Sequence, residues 1–393
     1  MDYPFMFRSF KIKNRKQINI IREMGLKTIV YDPKRSDVKS SQHIAEPSLL
    51  EDELPEELEE EVSQERSSRI QQLKQRRISL HRCEKAFSES ASAVKNLMKD
   101  MRARPRESIS AAEKLVHGIV EFVTADQNAT VQLVNMKGQD EDSYFHLINV
   151  TMLSMIVGKE LGLDSMELDH LGMGAMLHDL GQMKIPDKIL RKTSPLTEVE
   201  RKAFELHPVY GRELAKKLGC LPLPVMEIIE QHHECIDGTG YPNKLKGDQI
   251  SLLSRIVVIT NTYDELCNGN QNTRQLTPYE AMAYMYSQSK FDKNIMSIFI
   301  NRLGVYPPGT LVRLSDESIA GVTGVNHDDL LNPPVMLYNP KVPKEEAEII
   351  DLSEEEISIK ETIRRNEVSL EVLSYLNLGD STNYFIDPGV DSS

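Results

Sequence analysis

His232 and His233 stand in tandem in the stretch QHHECIDGTGYP, just before a turn rich in glycine. A second tandem pair, His178 and Asp179, sits in MLHDLGQMKIP. His146 lies in DSYFHLINV, His207 in ELHPVYG, and Asn261 in RIVVITNTYDEL. Imidazole and carboxylate are the ligands of Zn, Mn and Fe. A lone histidine on an apolar helix is ordinarily a satisfied core residue. Five histidines in one helical region, paired in tandem at the ends of apolar runs, fit a shared cleft instead. The helix ends would point imidazoles into it while the apolar faces hold the helices together. The chemistry this pattern predicts is a metal centre.

The elements that must position these groups read as mainly α. From residue 108 to residue 300, segments such as AAEKLVHGIVEFV, INVTMLSMIVGKELGL and LPVMEIIEQHH carry apolar residues at three-and-four spacing. The length suits an all-helical domain of six or seven helices. Residues 301–340 contain short strand-like runs, YPPGTLVRLSDESIAGVTGV and PPVMLYN, and predict a small β extension. Residues 341–393 are acidic and poor in aromatics, which predicts a mobile tail with one helix near SLEVLSYLNL.

Upstream, residues 1–35 show helical spacing at Ile18, Ile21 and Met24, a stop at Gly25, and the strand-like KTIVYD. One helix and one strand cannot enclose a core, so this reads as a partial α/β module whose first strands are missing or come from a partner. Residues 36–107 form an acidic, polar linker and then a long helix free of proline and glycine from Glu56 to Met101. Leu73, Leu80, Phe87, Val94 and Met101 recur every seven residues, with Ile70, Ala91 and Met98 at companion positions and Arg77 and Glu84 interrupting. Two readings stand: the seam of a homodimeric coiled coil, or a single helix packed on its own domain.

Composition narrows the function. The formal net charge of −13, with 40% hydrophobic and 27% charged residues, fits a globular protein and argues against a long nucleic acid or an anionic membrane as partner. There is no secretory leader and no apolar run long enough to span a bilayer, so a cytoplasmic location is expected. Cys83, Cys220, Cys235 and Cys267 are scattered, with no CxxC pair, as expected of reduced thiols. No kinase or redox motif is present.

The motifs resemble those of one family. His178–Asp179 is similar to the hallmark pair of the HD superfamily of metal-dependent phosphohydrolases, and HHECIDGTGYP to the signature of its HD-GYP subfamily, named for the tripeptide at Gly240, Tyr241 and Pro242. The resemblance covers about residues 140–340, with the motifs matching in order and spacing, and residues 1–35 resemble the end of a small domain that often precedes HD-GYP domains. It implies a bacterial signalling phosphodiesterase of cyclic di-GMP or a related cyclic dinucleotide, with two divalent ions, Fe or Mn. By the family pattern His146, His178, Asp179 and the position of Asn261 hold one ion. His207, His232 and His233 hold the other, and Asp179 bridges the two. His178 and Asp179 form the catalytic centre. Some members hold a third ion through a carboxylate one turn before the first histidine, the place of Asp142, which is otherwise a solvated helix residue. Gly240 lets backbone approach the site. Tyr241 would stack on or bound a substrate base, or simply pack its turn.

Departures from the pattern set a second expectation. Asn261 stands where the family has an aspartate and brings no negative charge. Gln182 replaces the lysine of HDxGK, Cys235 replaces an arginine, and Asn270, Gln271, Asn272 and Thr273 occupy the place of RPYR. Each lost basic group removes a charge-assisted phosphate contact of about 1–3 kcal/mol. Lys184, Arg255 and Arg274 are nearby substitutes. A non-catalytic HD-GYP signalling protein that binds a nucleotide or a partner protein is the alternative reading.

Overall fold

The computed structural model describes residues 83–125, 130–134, 142–192, 194–269, 275–344, 347–376, 378 and 383–387. The expectations for residues 1–35, for the linker, for Leu73 and Leu80, and for Asn270–Arg274 lie outside these residues. The fold is mainly α, as the periodicity predicts.

The first described helix, α1, runs over 83–100. A turn follows it, and Pro105 opens α2 (Pro105–Ala125), a position where the missing N–H removes no helical bond. Phe87 and Val94 of α1 are fully buried, as is nearly all of Met101, in the same core as α2 and α3. The Phe87 ring packs against Phe145 of α3 at a centroid distance of 5.3 Å. This part of the heptad seam therefore serves the chain's own core and is not left as a surface for a second copy. Phe87, Val94 and Met101 fit the single-helix reading, while the seam over Leu73 and Leu80 lies outside the described residues.

α3 (Asp142–Glu160) and α4 (Ser165–Leu177) are apolar almost all round, and each is buried between neighbours. A capping box between Asp164 and Glu167 fixes the start of α4. Short helices α5 (Asp187–Leu190) and α6 (Glu198–Phe204) lead into α7 (His207–Leu218) and α8 (Leu223–Gln231). α9 (Leu252–Asn268) crosses α3, and α10 (Pro278–Ser287) and α11 (Lys293–Leu303) close the bundle. Ten α-helices lie among the described residues from Pro105 to Leu303, against an expectation of six or seven. Pro186, Pro222 and Gly219 cut the apolar runs into shorter pieces than periodicity alone suggests.

β1 (Thr130–Val134) interrupts the helical region and pairs antiparallel with β7 (Asn383–Asp387). The second sheet has five strands in the order β5-β4-β3-β2-β6, built from β2 (Leu311–Leu314), β3 (Ile319–Val322), β4 (Pro334–Leu337), β5 (Ile349–Asp351) and β6 (Ile359–Ile363). Alternation splits its side chains between two small cores. Val312, Leu314, Ala320, Val322 and Val335 face one way. Leu311 and Ile363 face the other, under α12 (Leu370–Tyr375). The β extension thus continues past residue 340, and the segment expected to be a mobile tail supplies two of its strands, the expected helix and β7. The acidic residues there hid a few isoleucines that join these cores, Ile357 and Ile359 packing on the first and Ile363 in the second. Arg364 pairs with Glu280 of α10, and Tyr279 stacks on Tyr306, so the sheet is tied to the bundle.

Candidate metal centre

Helix ends carry most of the site. His178 follows α4, His207 opens α7, and His232 follows α8. His146 sits in the second turn of α3. The first three rings are aimed by one device: Nδ1 donates to a carbonyl three residues earlier, His178 to Ala175 at 2.6 Å, His207 to Phe204 at 2.8 Å and His232 to Ile229 at 2.9 Å. A carbonyl only accepts, so the proton is on Nδ1 and the lone pair is on Nε2. His146 is set the same way by Asp264, whose Oδ2 lies 2.7 Å from its Nδ1. Asn149 and Asn268 each donate to Asp264 Oδ1 at 2.8 Å and hold that carboxylate in place.

The four Nε2 atoms converge. Those of His146 and His178 are 3.3 Å apart, and those of His207 and His232 are 3.0 Å apart. Asp179 lies between the pairs. Its Oδ2 is 3.4 Å from His178 Nε2 and 3.9 Å from His146 Nε2, and its Oδ1 is 3.3 Å from His207 Nε2 and 3.8 Å from His232 Nε2. The ligand atoms of His146, His178 and Asp179 lie within 4.8 Å of one another, as do those of His207, His232 and His233. Lone pairs that face each other at such distances around a carboxylate repel unless a cation or a proton lies between them. A nearby buried orphan agrees: Asn261, 1% exposed, has an Oδ1 with no hydrogen-bond partner. The donor set of imidazoles and a carboxylate fits divalent metal.

The electrostatics point the same way for His232 and His233, whereas a cation at His146 must displace a proton from its ring. Burial, reinforced by neighbouring imidazoles, holds His232 and His233 well below the usual histidine range, which leaves neutral rings ready to ligate. Burial opposes charge on His146 as well, but the hydrogen bond and charge of Asp264 outweigh it and raise the ring to about 9. Burial would raise the Asp179 carboxyl, yet His178 and His207 hold it well below its ordinary value.

Two close approaches make the geometry possible. Asp179 leads into a 3-10 turn (Leu180–Lys184) that lies directly on α7. A Cβ on Gly181 would stand 1.8 Å from the His207 carbonyl oxygen and 2.5 Å from Gly211 N. Only glycine lets the aspartate reach across to His207. In the HHECIDGTGYP loop a Cβ on Gly240 would meet the backbone of His233, Glu234 and Cys235 at 2.4–2.5 Å. Buried Glu234 accepts from the backbone N–H groups of Asn243 at 2.6 Å and Leu245 at 2.9 Å and pins the loop. The loop so folded lays Tyr241 on His233, with ring centroids 4.6 Å apart and planes 20° from parallel.

The structure therefore brings together His146, His178, Asp179, His207, His232 and His233, with Gly240 and Tyr241 against the second trio. One face of Tyr241 is taken by His233, so the ring is not free to sandwich a base. Asp142 opens α3 one turn before His146, and its side chain lies outside the described residues, as does Arg274. Gln182 is half-buried in the turn after Asp179, while Lys184 is exposed. Arg255 is not available as a substitute phosphate contact, because its guanidinium pairs with Asp292 at 2.8 Å. Cys235, in the place of an arginine, is half-buried, and burial pushes its thiol up. Sequence reasoning missed Asp264, Glu265, Asn149, Glu234 and the Gly181–Gly211 contact. The signal for two of these was there: Asp264 and Glu265 stand with Asn261 and Asn268 in a polar stripe at helical spacing on α9.

Comparison with known proteins agrees with this geometry. Residues 130–295 match the HD domain family model, and residues 1–112 match a domain of unknown function, DUF3391. The second span takes in the module expected over 1–35 and the linker and long helix expected over 36–107. A cyclic di-GMP phosphodiesterase of Pseudomonas aeruginosa is 28% identical over 358 residues, covering 90% of this chain and 84% of that one. The cyclic di-GMP phosphodiesterase response regulator RpfG of Xanthomonas campestris is 30% identical over 185 residues, covering 47% of this chain and 49% of its own length. A 3'3'-cGAMP-specific phosphodiesterase of Vibrio cholerae is 32% identical over 122 residues, covering 31% and 26%. The stretch that matches the HD domain model is the one that folds around Asp179, and its tandem histidines open onto the glycine–tyrosine–proline loop, consistent with the HD-GYP pattern that the sequence resembles.

Proposed function

We propose that this chain is a metal-dependent phosphodiesterase that opens a cyclic dinucleotide, cyclic di-GMP or a relative, in bacterial second-messenger signalling. The observation that carries the reading is the convergence of four Nε2 lone pairs on the two oxygens of Asp179. His146, His178, Asp179 and Asn261 would hold one divalent ion and His207, His232 and His233 the other, with Asp179 shared. Fe and Mn suit this mixture of imidazole and oxygen donors. When bound, the ions supply Lewis-acid polarisation of a phosphoryl oxygen and lower the pKa of water at neutral pH.

The protein's own residues do the positioning. Asp264 locks the His146 tautomer, and the backbone carbonyls lock His178, His207 and His232. Tyr241 walls the second trio from the loop side. The proteins matched above act, by their names, on cyclic di-GMP or 3'3'-cGAMP, which supports a cyclic dinucleotide as substrate. No described helix is long and apolar enough to cross a membrane, which accords with a cytoplasmic enzyme. A third ion at Asp142 and a homodimer through Leu73 and Leu80 belong to the same proposal and are tested by metal counting and by light scattering.

The scarcity of basic groups supports a second reading, a non-catalytic nucleotide-binding module, since Arg255 is taken by Asp292 and Gln182 and Cys235 are uncharged. The deciding experiment is product analysis with cyclic di-GMP and the mixed cyclic GMP–AMP, using Mn-loaded protein and anaerobic Fe-loaded protein. A linear dinucleotide product confirms the enzyme. No turnover with metal shown to be bound selects the second reading.

A further inference from the structure

The first trio lacks a carboxylate where the family pattern has one, and the structure offers a replacement one helical turn away. Asn261 and Glu265 share a face of α9, and Asn261 Nδ2 donates to Glu265 Oε1 at 3.3 Å. A carboxylate only accepts, so this contact settles which way the amide lies: the NH₂ faces Glu265, and the orphaned Oδ1 is turned away from it. It also leaves Glu265 Oε2 uncommitted among the described residues. The same helix holds Asp264 against His146, so α9 lies directly on the first trio. Burial acts most strongly on the Glu265 carboxyl and pushes it up, Asp179 adds to that, and His146, His178 and the Asn261 amide oppose it. A half-buried carboxylate beside another acid is unfavourable unless a cation or a proton neutralises it, and its place on the first trio is where a cation would bind.

We propose that Glu265 is a ligand of the first metal, supplying through Oε2 the negative charge that Asn261 has lost, while Asn261 ligates through Oδ1. The charge of the site has been moved one turn along α9 and not deleted. The inference rests on the metal-centre reading above, and the test separates the two.

The experiment counts bound Mn per chain by elemental analysis after removal of free metal, and titrates Mn²⁺ against a competing fluorescent chelator. Circular dichroism and thermal unfolding verify each variant. Wild type takes up two ions. In Glu265→Gln, which keeps the acceptor for Asn261 but not the charge, affinity at one site falls by about tenfold to a hundredfold and the other is unchanged. Asn261→Asp combined with Glu265→Gln recovers the lost ion, because the carboxylate is back at its family position. Glu265→Ala serves as the second variant if Glu265→Gln folds poorly. Two unchanged sites in Glu265→Gln, or a double variant that stays at one ion, overturn the proposal. Wild type that binds no Mn at all overturns the metal centre itself, before any variant is measured.

Discussion

Gly181→Ala tests whether the approach of the post-Asp179 turn to α7 sets the second metal trio. The new Cβ would start 1.8 Å from the His207 carbonyl oxygen, 2.8 Å from its carbonyl carbon and 2.5 Å from Gly211 N, all of them backbone atoms that no rotamer change can move. The turn and the first turn of α7 must separate by about 1.2 Å even to reach 3.0 Å, the closest contact real Cβ atoms make. Gly181 is two residues from Asp179, and the opposing oxygen belongs to His207 itself, so the displacement falls on the 3.3 Å gap between Asp179 Oδ1 and His207 Nε2. Metal–ligand distances tolerate only about 0.2 Å, so even half of that displacement spoils the site. Overpacking of this kind lowers stability by roughly 1–3 kcal/mol, and a misplacement near 1 Å costs turnover on the order of a hundredfold. Thermal unfolding, Mn²⁺ titration and turnover of cyclic di-GMP measure the three effects. The site holding His207, His232 and His233 should lose affinity more than the one holding His146 and His178. Wild-type stability together with two unchanged Mn sites would refute the argument that this glycine contact positions Asp179.

Asn261→Asp alone puts a second carboxylate 3.3 Å from Glu265, and like charges at that distance resist ionising together; it should tighten the first site far less than the same change does in the Glu265→Gln background. Equal gains in both backgrounds would mean that the two side chains do not share an ion. Phe87→Ala removes a fully buried ring packed on Phe145 and should lower stability by about 3–5 kcal/mol with no change in oligomeric mass by light scattering. A stable variant of reduced mass would return Phe87 to the dimer seam. Glu200 is held down to about 2, first by a hydrogen bond from Lys192 and then by Thr197. Its contribution to the start of α6 is therefore complete above the ordinary carboxylate value and is lost as pH falls through about 2. An NMR titration of its carboxyl with a midpoint in the ordinary range would contradict the capping geometry.

The histidine–aspartate cluster was legible because metal chemistry restricts residue type severely and because tandem pairs stand out in a chain with ten histidines. The helical domain was legible from its period. The β extension was only half legible: strands of three to five residues, such as Ile349–Asp351 and Ile359–Ile363, are shorter than any window that averages hydrophobicity, and the acidic residues around them outweigh a few isoleucines. The long helix was ambiguous for a related reason. A seven-residue recurrence is compatible with a coiled coil and equally with one apolar stripe docked on a bundle, and only the burial of Phe87, Val94 and Met101 separates the two.

What stayed out of sight at the site were residues whose role depends on partners far away in sequence. Asp264 matters because it meets His146 across 118 positions, and Gly181 because it meets His207. Neither contact follows from the local pattern, since an aspartate in a helix or a glycine after a histidine–aspartate pair has many ordinary explanations. The same blindness affects charge. Position by position, Asn261 looks like a weakened ligand and Glu265 like an unremarkable helix acid. The helix places them one turn apart and hydrogen-bonded, beside a cluster of imidazole lone pairs. A metal responds to the total charge and donor geometry around it, whichever residue supplies them. Whether this site is impaired therefore depends on α9 as a unit, and the substitution at Asn261 alone does not settle it.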